Sequence, residues 1–387
     1  MGDQAILQGL LVFLEQAYPN AELIIHSSNP DSYEEKGFKV KPTLYFWSTF
    51  EKKGFLIRIF RLSQLVLQYF FCLIRLRLPI GQTRLLDLLD DYRAADLIIF
   101  VGGGYLRTKS GLTQSLNLLI QLSMLAFAKI FTKNIIVAPM SFGPFARAWQ
   151  EKISARFLKD VKLVSVREEI SYQILKKYNI QNVIISADQA FNLDYIKVEP
   201  KDGSEFLLGF TVRNWLPDTE QQRLHKAIAD AIFNFGRHIK ITVQPIIQVN
   251  APEYGDDDIF IANEIADALK KRGIAVNETI HLKNIEQALL VYGKIDLLIG
   301  MRMHSNILSI IQHTPFVAIA YEHKTPGMLK MLGLDQFCID CEEVNQDNLL
   351  TLLNQVYTNR LSISNQIKDS ITAIKAIEFD RWQKILI

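Results

Sequence analysis

Short, nearly continuous apolar runs alternate along this chain with stretches of helical periodicity. In the first half such runs fall at 21–26, 97–101, 135–139, 163–166 and 183–186. Several stop at glycine or a polar loop: 97–101 at Gly102-Gly103-Gly104, and 135–139 at Ser141-Phe142-Gly143-Pro144. Runs of this length without strict alternation read as strands buried on both faces, hence a parallel sheet. Helical patterns between them give repeated βα units. A polar segment at 198–204 with Pro200 and Gly203 interrupts the series and reads as a linker. The pattern then restarts, with strands predicted at 206–212, 239–244, 279–282, 297–300 and 316–320. Helices are predicted at 220–235, 257–271, 285–292 and 305–312, and 345–387 is mostly helical. The reading is an α/β chain of two doubly wound, Rossmann-like halves, 1–199 and 200–387, facing a central cleft. Ligands of such sheets sit at the carboxyl ends of the strands.

Composition narrows the function. The 387 residues suit two domains and a large core. With 43 basic and 41 acidic residues the net charge is +2, too balanced for a nucleic-acid binder. An anionic ligand must therefore be held by local cations and helix ends. The three cysteines, Cys72, Cys338 and Cys341, suit a reducing compartment, and the lone C-x-x-C reads as ordinary cysteines. No signal peptide is legible at the start, so a cytoplasmic location is expected. The stretch 62–74, flanked by Arg58, Arg61, Arg75 and Arg77, is too short to span a bilayer. It reads either as a core-packed helix or as a basic amphipathic helix on an anionic membrane surface.

Candidate chemistry lies where predicted strands end. After 297–300 come Arg302, His304, Ser305 and Asn306. Ser305 or Asn306 is placed to cap the following helix, whose N-terminal amides favour a phosphate or carboxylate. Arg302 adds a two-pronged donor, and His304 can move a proton near neutral pH. Lys324 follows the strand at 316–320 and suits a phosphate. Arg167 ends the strand at 163–166, and Gly102, Gly103 and Gly104 permit close backbone approach to a ligand. Arg213 and Trp215 follow the strand at 206–212, where they line the cleft or pack at its edge. Asp3 reads either as a helix N-cap or as a substrate-binding residue, and Asp256-Asp257-Asp258 precede a helix whose dipole favours carboxylates. No P-loop, G-x-S-x-G or metal-ligand spacing appears.

Taken in order, Gly2-Asp3-Gln4-Ala5-Ile6, Gly102–Gly104, Ser141–Pro144, Ser165-Val166-Arg167-Glu168 with Ser171, Ala187–Phe191, Val212–Trp215, Gly300–Ser305 and Pro315–Lys324 resemble the polysaccharide pyruvyl transferase family. The resemblance implies a GT-B-like pair of Rossmann-like domains. It implies transfer of pyruvate from phosphoenolpyruvate to a sugar of a cell-surface polysaccharide or its lipid-linked precursor, as a ketal. It places essential basic residues at Arg167, Arg302, His304 and Lys324. The acceptor is expected on 1–199 and the donor on 200–387. Arg302, Lys324 and the helix near Ser305 would hold one anionic end of phosphoenolpyruvate, and Arg167 the other. His304 is the candidate general acid, and Asp188 is either a base or structural. No cofactor or metal is required, nucleic acid is not a partner, and peripheral membrane contact is an expectation. The family pattern usually opens with a strand and Asn-x-Gly-Asp, whereas this chain opens at Met1-Gly2-Asp3. A start lying upstream, or a sheet lacking one strand, is the corresponding expectation. Two alternatives share the architecture: a GT-B glycosyltransferase using a nucleotide sugar, and a non-catalytic sugar-binding assembly partner.

Overall fold

The computed structural model describes residues 1–27, 39–43, 59–60, 63–64, 66–70, 83–199, 205–251 and 256–386. They form two compact units, one joining Met1–Ala17 to Ala187–Ile387 and the other made of Tyr18–Ser186. This division differs from a single boundary at 199/200, and helix α1 (Gly2–Ala17) supplies the physical reason. Ala5, Ile6, Leu7, Leu10, Leu11, Phe13 and Leu14 are its buried side chains, and they need an apolar partner. They find it on the 3-10 turn Gln189–Asn192 and on the C-terminal helix, both in the larger unit. A Cβ at Gly9 would stand 1.9 Å from the Gln189 carbonyl oxygen, so helix and turn meet backbone to backbone. Phe13 meets Phe379 and Trp382 edge-on, with centroids 5.7 and 6.1 Å apart. Ring pairs of this kind add about 0.5–1.5 kcal/mol beyond their burial.

The smaller unit holds a parallel pair, β1 (Ile24–Ser27) and β2 (Lys39–Pro42), and a separate parallel sheet. That sheet takes β3 (Ile98–Phe100), β4 (Ile135–Met140), β5 (Leu163–Val166) and β6 (Val183–Ile185) in sequence order. Its helices are α2 (Thr83–Ala94), α3 (Leu112–Phe131), α4 (Ala148–Leu158) and α5 (Glu169–Lys177). All six residues of β4 are buried, which is why its sequence shows no alternation. Among the described residues, α3 alone is long and apolar enough to cross a membrane, yet Leu118, Leu122, Leu125, Phe127 and Ala128 pack in the unit's core. Cys72 and the arginines at 58, 61, 75 and 77 lie outside the described residues, as do 200–204 of the expected linker.

The larger unit continues with β7 (Phe206–Thr211), α6 (Asp218–Gly236), β8 (Ile241–Ile247) and a two-residue antiparallel pair, β9 (Asn250–Ala251) and β10 (Asp256–Asp257). Next come α7 (Ile259–Lys271), β11 (Ala275–Val276), β12 (Ile280–His281), α8 (Ile285–Lys294), β13 (Leu297–Gly300) and α9 (Met303–Ile311). The chain ends with β14 (Phe316–Ala320), α10 (Lys324–Met331), β15 (Cys338–Asp340), α11 (Gln346–Thr358) and α12 (Arg360–Leu386). The sheet order is β11-β8-β7-β13-β14-β15, with β12 also on β8, and every pairing is parallel. From β7 the chain first builds outward through β8 to β11, then returns to place β13 on the other flank of β7. This is a doubly wound sheet whose order reverses between β7 and β13. Loops leaving those two strands diverge, and the crevice between them is where such sheets bind ligands. Burial pushes the Cys338 thiol up to about 12 and that of Cys341 to about 11, so both are neutral thiols.

Alanine inside a helix ordinarily stabilises by about 0.5–1 kcal/mol over glycine. At Gly9 the added methyl would meet a backbone carbonyl instead. Gly9→Ala is therefore expected to destabilise by about 1–3 kcal/mol, read as a lower denaturant midpoint at unchanged slope. A stabilised variant would show that α1 does not dock on this turn.

A candidate anion site at the switch point of the larger unit

Three neighbouring strands, β7, β13 and β14, end side by side, with Thr211, Gly300 and Ala318 in register. Hydrogen bonds tie the ends together. Met301 N–H donates to the Thr211 carbonyl at 3.1 Å, and the Thr211 and Ser305 hydroxyls share a bond of 2.8 Å. Arg213, just after β7, donates from Nη1 to the Tyr321 hydroxyl after β14 at 2.6 Å.

Sequence reading placed His304 in a loop and gave the cap to Ser305 or Asn306; the structure corrects both. The helix α9 begins at Met303, so His304 lies in its first turn and Arg302 is the N-cap residue. Ser305 is fully buried, its hydroxyl committed to Thr211 and to the Arg302 carbonyl, so it braces the turn. Asn306, also buried, donates to the Gly300 carbonyl at 3.0 Å. Asp3 likewise is not a cap: α1 already includes Gly2, and Asp3 sits in the exposed first turn, where the dipole favours it.

Arg302, Lys324 and His304 each face a carboxylate. Arg302 is buried, and its Nε lies 3.2 Å from both oxygens of the fully buried Asp258, to which Nη2 also donates. Asp258 accepts a further bond from the Val249 N–H at 3.0 Å. Lys324 opens α10 and pairs with Glu322 at 2.6 Å, both side chains largely buried. His304 Nε2 stands 3.7 Å from a carboxylate oxygen of Asp188, within ion-pair reach but beyond a hydrogen bond. That nitrogen is buried and makes no hydrogen bond. Gly2 approaches the same ring so closely that a Cβ there would stand 2.5 Å from Nδ1. Asp188 is itself fixed, accepting from the Ala190 N–H at 3.0 Å as the cap of its 3-10 turn.

Arg213 is held differently. Its guanidinium carbon lies 4.9 Å from the Trp215 ring and 4.8 Å from the Tyr321 ring, and the two rings are 4.9 Å apart. Such stacking adds about 0.5–2 kcal/mol per contact and keeps the donor fork planar and oriented. The Lys324 ammonium lies 5.7 Å over the same Tyr321 ring. Sequence reasoning missed Thr211, Tyr321, Glu322 and the role of Asp258. The acidic run at 256–258 was visible, but its partner is a side chain 44 residues away.

Arg167 and the glycine loop belong to the smaller unit. Arg167 is buried and donates from Nη2 to the Ser141 hydroxyl at 3.0 Å and to the Gly103 carbonyl at 3.3 Å. Ser141 donates to Glu168 at 3.1 Å, and Ser171 donates to the same carboxylate and accepts from Phe142 N–H. The loop glycines are needed for packing: a Cβ at Gly102 would be 1.9 Å from the Pro139 carbonyl, and Gly103 has φ of 143°. A Cβ at Gly104 would make only ordinary contact, with Arg107 Nε at 3.8 Å.

With this geometry in hand, comparison with known proteins settles the family. The polysaccharide pyruvyl transferase family model matches residues 1–323. The chain belongs to the polysaccharide pyruvyl transferase family. A curated relative, the amylovoran biosynthesis protein AmsJ of Erwinia amylovora, is 26% identical over 398 residues, covering 96% of this chain and 92% of that one. Among solved structures, Anabaena HepE in complex with UDP and glucose gives a TM-score of 0.55 at 11% identity, over 98% of this chain and 96% of that one. The UDP-GlcNAc 2-epimerase of Neisseria meningitidis bound to UDP-GlcNAc gives 0.52 at 11% identity, over 95% and 92%. These two likenesses show a shared GT-B fold. Within this pyruvyl transferase family member, Gly300–Ser305 and Pro315–Tyr321 are the strand ends that build the site just described. Lys324 lies one residue beyond the matched span.

Removing one member of a buried ion pair strands the other, at a cost of about 3–5 kcal/mol. Arg302→Met is therefore expected to lower stability by that order, contrary to a purely catalytic role that leaves the fold intact. Arg302→Met with Asp258→Leu, which removes both charges, is expected to regain most of the loss, as urea unfolding would show. Equal stability of Arg302→Met and wild type would refute the pairing.

Proposed function

We propose that this chain transfers pyruvate from phosphoenolpyruvate to two hydroxyls of a sugar in a cell-surface polysaccharide or its lipid-linked precursor. The observation that carries the reading is the family match together with His304, Lys324, Arg302 and Arg213 gathered on three strand ends of one sheet. Phosphoenolpyruvate offers a phosphate and a carboxylate, and such ligands are held by charge-assisted donors in fixed geometry. Arg213 and Lys324 are the donors assigned to it, with α9 and α10 presenting N-terminal amides beside them.

In the reaction the π electrons of phosphoenolpyruvate take a proton at the methylene carbon, which becomes a methyl group. The adjacent carbon becomes electrophilic and bonds to both sugar oxygens, while its bond to the phosphate oxygen breaks and the electron pair leaves with phosphate. One hydroxyl proton replaces the proton delivered to carbon, and the other leaves on phosphate. His304 is assigned the proton transfer, with Asp188 orienting its ring. The acceptor is expected to reach the enzyme at the cytoplasmic face of a membrane. Exposed Ile59, Phe60, Val66, Leu67 and Phe70 support contact with that surface. Co-sedimentation with anionic vesicles, reduced by Phe60→Asp with Phe70→Asp, is the expected result; unchanged sedimentation counts against it.

Phosphate release from phosphoenolpyruvate, measured with lipid-linked or model glycosides, tests the enzyme reading. Release should depend on acceptor and fall about 10²–10⁴-fold in His304→Ala through kcat, while Lys324→Ala raises KM for phosphoenolpyruvate. Near-normal turnover of His304→Ala would remove its chemical role. No release with any acceptor, beside tight calorimetric binding of a nucleotide sugar, would overturn the function.

A further inference from the structure

Arg213 and Trp215 lie on a segment between β7 and α6 that has no regular secondary structure. A single buried side chain, Gln221, brackets it. Gln221 Oε1 accepts from the Trp215 N–H at 2.8 Å and from the Leu216 N–H at 2.9 Å. Its Nε2 donates to the Arg213 carbonyl at 3.2 Å and meets His225 Nε2, one helical turn on, at 2.6 Å. All four hydrogen-bonding positions of the amide are thus used. Because Oε1 serves two backbone N–H groups, the amide cannot turn over. An amide nitrogen only donates, so His225 Nε2 must be the acceptor and carry no proton. The ring proton then sits on Nδ1 and donates to Glu264 on α7 at 3.2 Å.

We propose that Gln221 and His225 are positioning residues that hold the Arg213–Trp215 segment in place, and that the bracket closes only while His225 is neutral. A protonated ring would turn an N–H toward the Gln221 N–H and break the shared bond. Burial, the largest influence, lowers the His225 pKa below its ordinary value, and Glu264 opposes this. Helices α7 and α11 both pack on α6, and among the described residues Glu264 is the charged group that acts on the ring. The folded state thus favours the neutral ring. The bracket is whole above a pKa that lies under histidine's usual value, and it opens as pH falls through it. In turn Arg213, packed against both the Trp215 and Tyr321 rings, loses its fixed backbone anchor.

This inference rests on the proposed function only where phosphoenolpyruvate is used; its main test needs no activity. Nitrogen-15 NMR of the full chain should find His225 as the Nδ1–H tautomer at neutral pH. On acidification the Trp215 and Leu216 amide resonances should move with the midpoint of the ring. His225→Gln, which keeps an acceptor but cannot be protonated, should leave those amides in their neutral-pH positions throughout. Gln221→Leu should displace them at every pH and weaken calorimetric binding of phosphoenolpyruvate roughly tenfold, as Arg213 loses its fixed anchor. A proton on Nε2 at neutral pH, amides that ignore the ring's titration, or a titration that survives in His225→Gln would each overturn the proposal. Should Gln221→Leu fail to fold, the His225→Gln comparison decides. Should wild type bind no phosphoenolpyruvate, the function fails while the bracket stands on the NMR result.

Discussion

The reversal of strand order between β7 and β13 is the constraint on which the site depends. Two parallel neighbours whose connections leave in opposite directions cannot close the space above their ends. The bond between Thr211 and Ser305 keeps those ends at fixed spacing, and Asn306 pins the turn of α9 to Gly300. The candidate residues of the larger unit follow from what each strand delivers: Arg213 from β7, Arg302 and His304 from β13, Tyr321 and Lys324 from β14.

Charge at this point is compensated before any ligand arrives. Arg302 faces Asp258 and Lys324 faces Glu322. Buried cations without such carboxylates would cost several kcal/mol each in desolvation. The arrangement is compatible with the anionic substrate proposed for this nearly neutral chain. An arriving phosphate or carboxylate meets oriented donors whose desolvation was met when the chain folded. Arg213 solves the same problem with aromatic faces, which orient a guanidinium without neutralising it.

Much of this was legible in the sequence. Continuous apolar runs located β4, β5, β13 and β14, because strands covered on both faces show no alternation. Strand ends in turn exposed Arg302, His304 and Lys324 as candidates. Short edge strands such as β11, β15 and the β1–β2 pair left weaker traces, with two to four residues each and few fully buried. The allegiance of α1 was not legible, since its apolar stripe fits any apolar partner and only tertiary contact with the turn at 189–192 chooses one. The same holds for Asp258 and Gln221, whose roles come from partners brought together by folding. The spacing of Gln221 and His225 places them on one helix face, which is necessary for the bracket but does not reveal it.

The central claim is that a group of this sheet delivers a proton to carbon as pyruvate moves to a sugar. Isotope-labelled phosphoenolpyruvate incubated in heavy water with the acceptor, followed by NMR of the isolated glycan, tests it directly. The account predicts the labelled carbon bonded to two sugar oxygens and a methyl group bearing a single solvent deuterium. Label confined to phosphoenolpyruvate or free pyruvate, with an unmodified glycan, would contradict it.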